Sequence, residues 1–285
     1  MSVATITSLR DAVASLIQDG ATLAMEGFTH LIPHAAGHEV IRQGRCNLTL
    51  LRMTPDVIYD QLIGVGAART LIFSWGGNPG VGSLHRLRDA VEHDWPAPLI
   101  LVEHSHASMA AAYVAGASGL PCGVLRGSAG TDLPRHNPAL RSIICPFTGE
   151  PLTAVAAHRP DVTVIHAQQA DREGNVQLWG IAGIQKEAVF AARAVLVTVE
   201  EIVDRLVPAP GAVTLPARVV TAVCEVPGGA YPSYAMGYDR RDNTFYKRWD
   251  GISREREHFT AWIDRHVRGT ANMAEFRRSL AADSA

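Results

Sequence analysis

The chain has 285 residues, 47% hydrophobic and 19% charged, the balance of a folded protein with material for an ample core. A formal net charge of −2 removes the broad basic field that generic nucleic-acid binding needs, and pairs such as Arg240–Arg241 and Arg277–Arg278 read as solvated faces. No apolar stretch approaches the roughly 20 residues that span a bilayer, and four scattered cysteines without a C-x-x-C (Cys46, Cys122, Cys145, Cys224) fit reduced thiols.

The first segment, MSVATITSLRDAVASLIQDG, lacks the cationic start and continuous apolar run of a signal peptide, so a cytoplasmic chain is expected. Its Ala12, Val13, Leu16 and Ile17 recur at helical spacing, with Ser8 as N-cap. Strands are predicted over 21–28, 48–53, 69–77, 98–105, 122–127, 162–168, 194–200 and 218–226. Most of these runs lack in-out alternation, as strands buried on both faces do. Helical stretches lie between them: HEVIRQG, VIYDQLIGVG, SLHRLRDAVEHD and ASMAAAYVAGASG. The alternation predicts an α/β fold, an open, largely parallel sheet with helices on both faces. After residue 226 the chain turns rich in Gly, Pro, Tyr and Trp, and a helical tail follows over Arg254–Leu280. The simplest organisation is one domain over 1–285, with 227–285 as a C-terminal extension.

Chemistry-bearing residues collect at the ends of the predicted strands. In EGFTHLIPHAAGHEVIRQG (26–44), His30, His34 and His38 stand four apart, as zinc-binding histidines do on a helix. Pro33 restricts Ile32 to extended geometry, so His30 falls before the helix. Two histidines without a third ligand make a poor metal site, and surface or interface residues are the favoured reading. No metal is expected. The stretch SWGGNPGVGSLHRLRDAV (74–91) has Gly80-x-Gly82 between strand and helix, but His85 takes the third glycine position of a dinucleotide fingerprint. What survives is a glycine loop and helix N-terminus offering N–H groups to an anion, weighed against a plain turn. A third strand delivers Glu103, His104, Ser105 and His106, where a shielded carboxylate would be raised in pKa and perform acid–base work, or else cap the next helix. With the Gly127–Thr131 turn, these loops converge on one polar site at the carboxyl ends of the strands. No G-x-S-x-G nucleophile elbow is present, which argues against a serine hydrolase.

DGATLAMEGFTHLIP, RMTPDVIYDQLIG, FSWGGNPGVGSLHRLRDAV, CPFTGE, RPDVTVIHAQQADREGNVQLWG and EVPGGAYPS together resemble the A subunits of family I CoA-transferases over essentially the whole chain. Within that family the resemblance is to chains acting on 3-oxoadipate and, more distantly, on glutaconate. It implies one subunit of an A2B2 enzyme that moves CoA from succinyl-CoA to 3-oxoadipate in aromatic degradation. The CoA thioester is then a substrate, and no cofactor is required. The resemblance further implies that a glutamate in a Ser-Glu-Asn motif of the B subunit is the nucleophile; no glutamate of this chain has that context. On this chain the resemblance implies Thr29 and His30 beside the acyl group, and Ser74, Gly76, Gly77 and Asn78 for carboxylate or oxyanion contacts. Glu103 and Ser105 stand at the rim, Glu103 being the candidate should this chain supply a catalytic group. Another dicarboxylate acceptor such as glutaconate, or a CoA-linked ring-opening hydrolase of the same fold, is the alternative. The sequence departs from the A-chain signature at Glu26, where a glycine is usual, and at Pro33, which arrives early. A buried Glu26 must be paired or turned away from an anionic substrate.

Overall fold

A computed structural model describes residues 4–78, 81–128, 130–207 and 209–283; Pro79 and Gly80 of the glycine loop and Ala129 of the 127–131 turn lie outside the described residues. The strands are β1 (Thr5–Ile6), β2 (Thr22–Glu26), β3 (Leu48–Leu51), β4 (Ala68–Phe73), β5 (Ile100–Glu103), β6 (Cys122–Leu125), β7 (Leu140–Ile144), β8 (Pro151–Ala156), β9 (Val162–Asp171), β10 (Val176–Leu178), β11 (Ala194–Val203), β12 (Val213–Leu215) and β13 (Ala222–Glu225). The α-helices are α1 (Leu9–Leu16), α2 (His34–Arg42), α3 (Val57–Gly64), α4 (His85–Glu92), α5 (His106–Ala117), α6 (Leu133–His136), α7 (Gln185–Ala191), α8 (Asn243–Arg254), α9 (Arg256–Trp262) and α10 (Met273–Ala282).

The main sheet runs β1-β13-β11-β9-β2-β3-β4-β5 with every neighbour parallel, and β10 and β12 add an antiparallel flap beside β9. The central strands are apolar on both faces because both are covered. Leu23, Met25, Leu48 and Leu50 point into one apolar cluster, with α1, α2 and α3, while Ala24 and Leu51 point into another, with Met109 and Tyr113 of α5.

Three sequence expectations are corrected. The 122–127 strand is not part of the parallel sheet: it is β6 of a separate antiparallel sheet ordered β6-β8-β7. β7 and β8 escape a search for continuous apolar runs because Arg141, Ser142 and Thr153 interrupt them and most of their residues lie partly or fully in solvent. The C-terminal helix starts earlier, where Asp242 caps Phe245 N–H at 2.9 Å, breaks at extended Glu255, resumes at once as α9, and breaks again before the Asn272 cap of α10. His34 and His38 are wholly buried in α2 instead of lying on the surface. The Ser8 cap is present, accepting from Asp11 N–H at 3.1 Å.

The C-terminal helices join the sheet's own core: Trp249, Phe259 and Phe276 belong to the apolar cluster that contains Leu23 and Met25. Asp60 of α3 fastens them. Its carboxylate accepts from Arg86 and Leu87 N–H, each at 2.9 Å, and from the Trp249 indole at 2.9 Å. Burial pushes Asp60 up to about 6, against these hydrogen bonds and Arg86. The N-terminus of α4, which the sequence offered as an anion site, is thus filled by the protein's own carboxylate.

Candidate active site

β2, β3, β4 and β5 lie side by side, so their carboxyl ends form one edge about 14 Å across at about 4.8 Å per strand step. Thr29 and His30 follow β2, Ser74–Asn78 follow β4, and Glu103 and Ser105 close and follow β5. The topology therefore brings the sequence-selected residues to the same edge of the sheet. It also shows what each side chain is doing there.

The loop after β2 turns sharply, with Thr29 at φ 57° and Leu31 at φ 53°, a region that non-glycine residues seldom occupy. A segment some 200 residues later in the chain holds it. Leu31 N–H donates to Tyr234 O at 2.9 Å, Ser233 Oγ donates to Thr29 O at 2.8 Å, and Ala35 N–H donates to Gly229 O at 2.9 Å. His30 is the buried pin of this clasp. Its Nε2 accepts from Met236 N–H at 3.0 Å, so Nδ1 carries the proton and donates to Ile181 O at 3.2 Å. Burial lowers its pKa, which keeps that neutral tautomer. Beneath the clasp, His166 bonds Glu200 at 2.9 Å and Thr198 at 2.8 Å, and Glu200 accepts Gly228 N–H at 2.6 Å. Burial alone would raise Glu200; the His166 bond and the Gly228 amide outweigh it and hold the carboxyl below its usual range.

Arg52 and Asp56, absent from the sequence-selected residues, form the buried ionic centre of the edge. Arg52 donates to both Asp56 oxygens at 2.9 and 3.3 Å and to Gly27 O at 2.8 Å. Its guanidinium lies 5.4 Å from the centre of the Tyr59 ring, whose hydroxyl donates to Leu51 O at 2.9 Å. Asp56 also caps α3. The signal was present as R-M-T-P-D straight after an apolar strand, an arginine and an aspartate four apart around a proline turn. Glu26 is paired, as a buried carboxyl must be: its Oε1 accepts from the Tyr113 hydroxyl at 2.8 Å and from Met53 N–H at 3.0 Å. Burial raises its pKa, opposed by Arg52 and by these donors.

The glycine loop faces inward more than its composition suggests. Ser74 Oγ donates to Met53 O at 2.7 Å, Ser74 and Trp75 N–H point at the same oxygen, and Gly77 N–H donates to Pro55 O at 3.2 Å. Asn78 is buried, its amide donating to Tyr246 O at 2.7 Å while Oδ1 has no partner among the described residues. A Cβ at Gly77 would sit 2.7 Å from the tip of the half-exposed Trp75 ring, which packs directly over this glycine. Trp75 and Gly76 are the exposed part of the loop.

At the end of β5, Glu103 is exposed, not the apolar-shielded carboxylate the sequence suggested, and its main-chain oxygen accepts from the Asn137 amide at 2.7 Å. The cap of α5 is Ser105, in a reciprocal box with Ser108 at 3.1 and 2.9 Å. His104, beside it, is buried and held at about 4 by desolvation. Phe28, Trp75, Ile181, Met236 and Tyr238 leave exposed apolar surface on the loops around the clasp and the glycine turn. Among the described residues no group of three or more His, Cys, Asp or Glu side chains is placed to hold a metal ion.

An open parallel sheet with polar loops gathered at its carboxyl edge defines an α/β chain of the kind that meets its ligand at that edge. The chain belongs to the coenzyme A transferase family, whose model matches residues 6–225. It is 62% identical over 279 residues to the A subunit of the 3-oxoadipate CoA-transferase of Pseudomonas knackmussii, covering 98% of this chain and 99% of that one. The crystal structure of glutaconate coenzyme A-transferase from Acidaminococcus fermentans superposes with a TM-score of 0.89 at 30% identity, over 98% of this chain and 94% of the other. A variant of the decarboxylase AibA/AibB superposes with a TM-score of 0.81, also at 30% identity, over 93% of this chain and all of the other. No helix among the described residues is long and apolar enough to cross a membrane.

Proposed function

We propose that this chain is the A subunit of a heteromeric enzyme that moves CoA from succinyl-CoA to 3-oxoadipate. The observation that carries the reading is its 62% identity to the A subunit of a 3-oxoadipate CoA-transferase over almost the full length of both chains. The 31% identity to the A subunit of a glutaconate CoA-transferase makes glutaconate the nearest competing acceptor. We take residues 1–285 as one domain with 227–285 as its extension, acting in the cytoplasm in an A2B2 assembly.

The reaction assigned to the pair is ping-pong. A carboxylate oxygen of the B-subunit glutamate attacks the succinyl thioester carbonyl, and the tetrahedral adduct collapses by breaking its C–S bond, giving a glutamyl–succinyl mixed anhydride and CoA thiolate. The thiolate attacks the glutamyl carbonyl, releasing succinate and leaving CoA as an enzyme thioester. 3-Oxoadipate then repeats the two steps in reverse and departs as its CoA ester. A carboxylate is a weak nucleophile toward a thioester unless it is desolvated and aimed, with donors opposite to receive the oxyanion. In this reading the Thr29–His30 and Ser74–Asn78 loops shape the acyl pocket, with His30 acting from within the fold. Glu103 and Ser105 stand at the rim. The support for placing the nucleophile elsewhere is that Glu26 and Glu200 are already buried in hydrogen bonds, while Glu103 is exposed with no activating partner among the described residues.

The test is reconstitution. The isolated chain should transfer no CoA, and co-expression with its B partner should restore transfer from succinyl-CoA. Comparing kcat/KM for 3-oxoadipate and glutaconate then fixes the acceptor, since a site built to bond the 3-oxo group discriminates strongly against an acid that lacks it. Robust transfer by the isolated chain would contradict the reading.

A further inference from the structure

One oxygen atom joins the carboxyl ends of β2 and β3 and reaches the loop after β4 through Met53, and it belongs to a residue the transfer chemistry does not use. Glu26 Oε1, at the end of β2, accepts Met53 N–H at 3.0 Å, just past the end of β3. On the other side of the same Cα, Met53 O receives Ser74 Oγ–H at 2.7 Å, Ser74 N–H at 3.2 Å and Trp75 N–H at 3.3 Å, the start of the glycine loop after β4. The Tyr113 hydroxyl, from the helix that follows β5, reaches that same Glu26 oxygen at 2.8 Å. Arg52, the nearest cation, is committed to Asp56 and Gly27 O and does not replace Glu26 as a partner for Met53.

We propose that Glu26 is a positioning residue for the transferase: by holding the Met53 amide it sets the Ser74–Gly77 loop, and through that loop it governs which acid is accepted. The proposal rests on the reading that this loop borders the acyl pocket. Its physical content is that Met53 is a two-sided relay between a buried carboxylate and the loop. Removing the acceptor leaves Met53 N–H and Tyr113 O–H unpaired in the interior, and the relay shifts to find other partners. Gln at this position keeps one carbonyl oxygen for both donors, while losing the charge and turning the second carboxylate oxygen into an NH2 group. A displacement of an ångström at a substrate-positioning loop changes discrimination by an order of magnitude or more.

The experiment uses the assembled pair of this chain and its B partner, as wild type, Glu26→Ala and Glu26→Gln. Two acids of different length, 3-oxoadipate and glutaconate, compete in one tube and the ratio of their CoA esters is read. Both acids meet the same active molecules, so loss of folded enzyme cancels and only altered discrimination moves the ratio. The expected result is a shift of about tenfold in E26A, with E26Q within about twofold of wild type. A second arm needs no turnover. Trp75 lies in the loop with 46% of its surface exposed, so its acrylamide quenching, taken as the difference from a Trp75→Phe counterpart, reports loop displacement and should rise in E26A. An unchanged ratio together with unchanged Trp75 quenching in E26A overturns the proposal. A wild-type pair that transfers no CoA defeats the transferase reading alone; Trp75 quenching then decides whether Glu26 sets the loop. Where E26A does not fold, Tyr113→Phe, which removes one donor from the same oxygen, replaces it. It should shift ratio and quenching in the same direction by a smaller factor, and no shift overturns the proposal.

Discussion

The ends of β2, β3 and β4 and the end of β5 share one edge of the sheet and are built in opposite ways. At the first three, the charged and polar side chains that hold the loops are interior: Arg52, Asp56, Glu26, His30 and Asn78 are buried and hydrogen-bonded to other side chains or to main chain, with Phe28 and Trp75 as the exposed exceptions. At β5 and the small antiparallel sheet beside it, charge and apolar surface both face outward. Glu103 is exposed, and Ile100, Ile144 and Phe147 show 58%, 66% and 94% of their surface. The difference separates residues whose loss is felt in the folding of this chain from residues whose loss can be felt only in what the chain meets.

The strongest way to break that contrast is to cut the buried ion pair. Arg52→Ala strands Asp56 without its cation in the interior and should cost about 3–5 kcal/mol in chemical unfolding. A loss near zero would mean that Asp56 is neutral or hydrated and the edge is not built from within. Asp60→Ala removes one acceptor from two N–H groups of α4 and from the Trp249 indole, and should cost about 1–3 kcal/mol. Its signature is earlier loosening of the C-terminal helices in hydrogen exchange.

Acid should weaken the interior in a defined direction. Burial holds His104 at about 4 and His158 at about 3 and lowers His30, His34 and His38 as well. In the unfolded chain these groups titrate near 6.5, so below that pH the unfolded state binds more protons and stability falls as the pH drops. The raised carboxyls act in the opposite sense: Asp60, at about 6, adds stability at low pH that is lost as the pH rises through its folded value, which softens the decline. Melting temperature should therefore fall from pH 7 to pH 5, and less steeply in a His104→Gln, His158→Gln variant. The smallest effect belongs to the exposed end. Glu103→Gln should change stability by less than about 0.5 kcal/mol and leave CoA transfer by the assembled pair intact. Loss of transfer in this variant would make Glu103 a reacting group and bring the neighbouring chemistries of this fold back into play.

What the sequence disclosed follows from periodicity and local sterics. Apolar runs without alternation located the parallel strands, and Pro33 separated His30 from the α2 histidines. Ser8 marked the first helix start. The features it concealed depend on long-range pairing or on short, partly exposed strands. β7 and β8 leave most of their residues partly or fully in solvent and are interrupted by Arg141, Ser142 and Thr153, so they produce no long apolar run. The clasp on the Thr29–Leu31 turn comes from Gly229–Met236, about 200 residues away, mostly through main-chain groups that carry no residue signature, with the Ser233 hydroxyl as its side-chain donor. The glycine loop looked like a free set of N–H donors because composition cannot show that Met53 and Pro55 carbonyls already occupy several of them. Arg52 and Asp56 were legible as a pair around a proline turn, but their burial was not, since an arginine at a strand end is as often solvated as enclosed.

In the proposed enzyme this chain supplies the frame of a shared site and its partner supplies the nucleophile. That division is tested by incubating the co-purified pair with succinyl-CoA, reducing the accumulated enzyme thioester with borohydride, and locating the modified glutamate by peptide mass spectrometry. The expected result is a single modified glutamate on the partner chain and none on this one; reduction at Glu26, Glu103 or any other glutamate of this chain would contradict it.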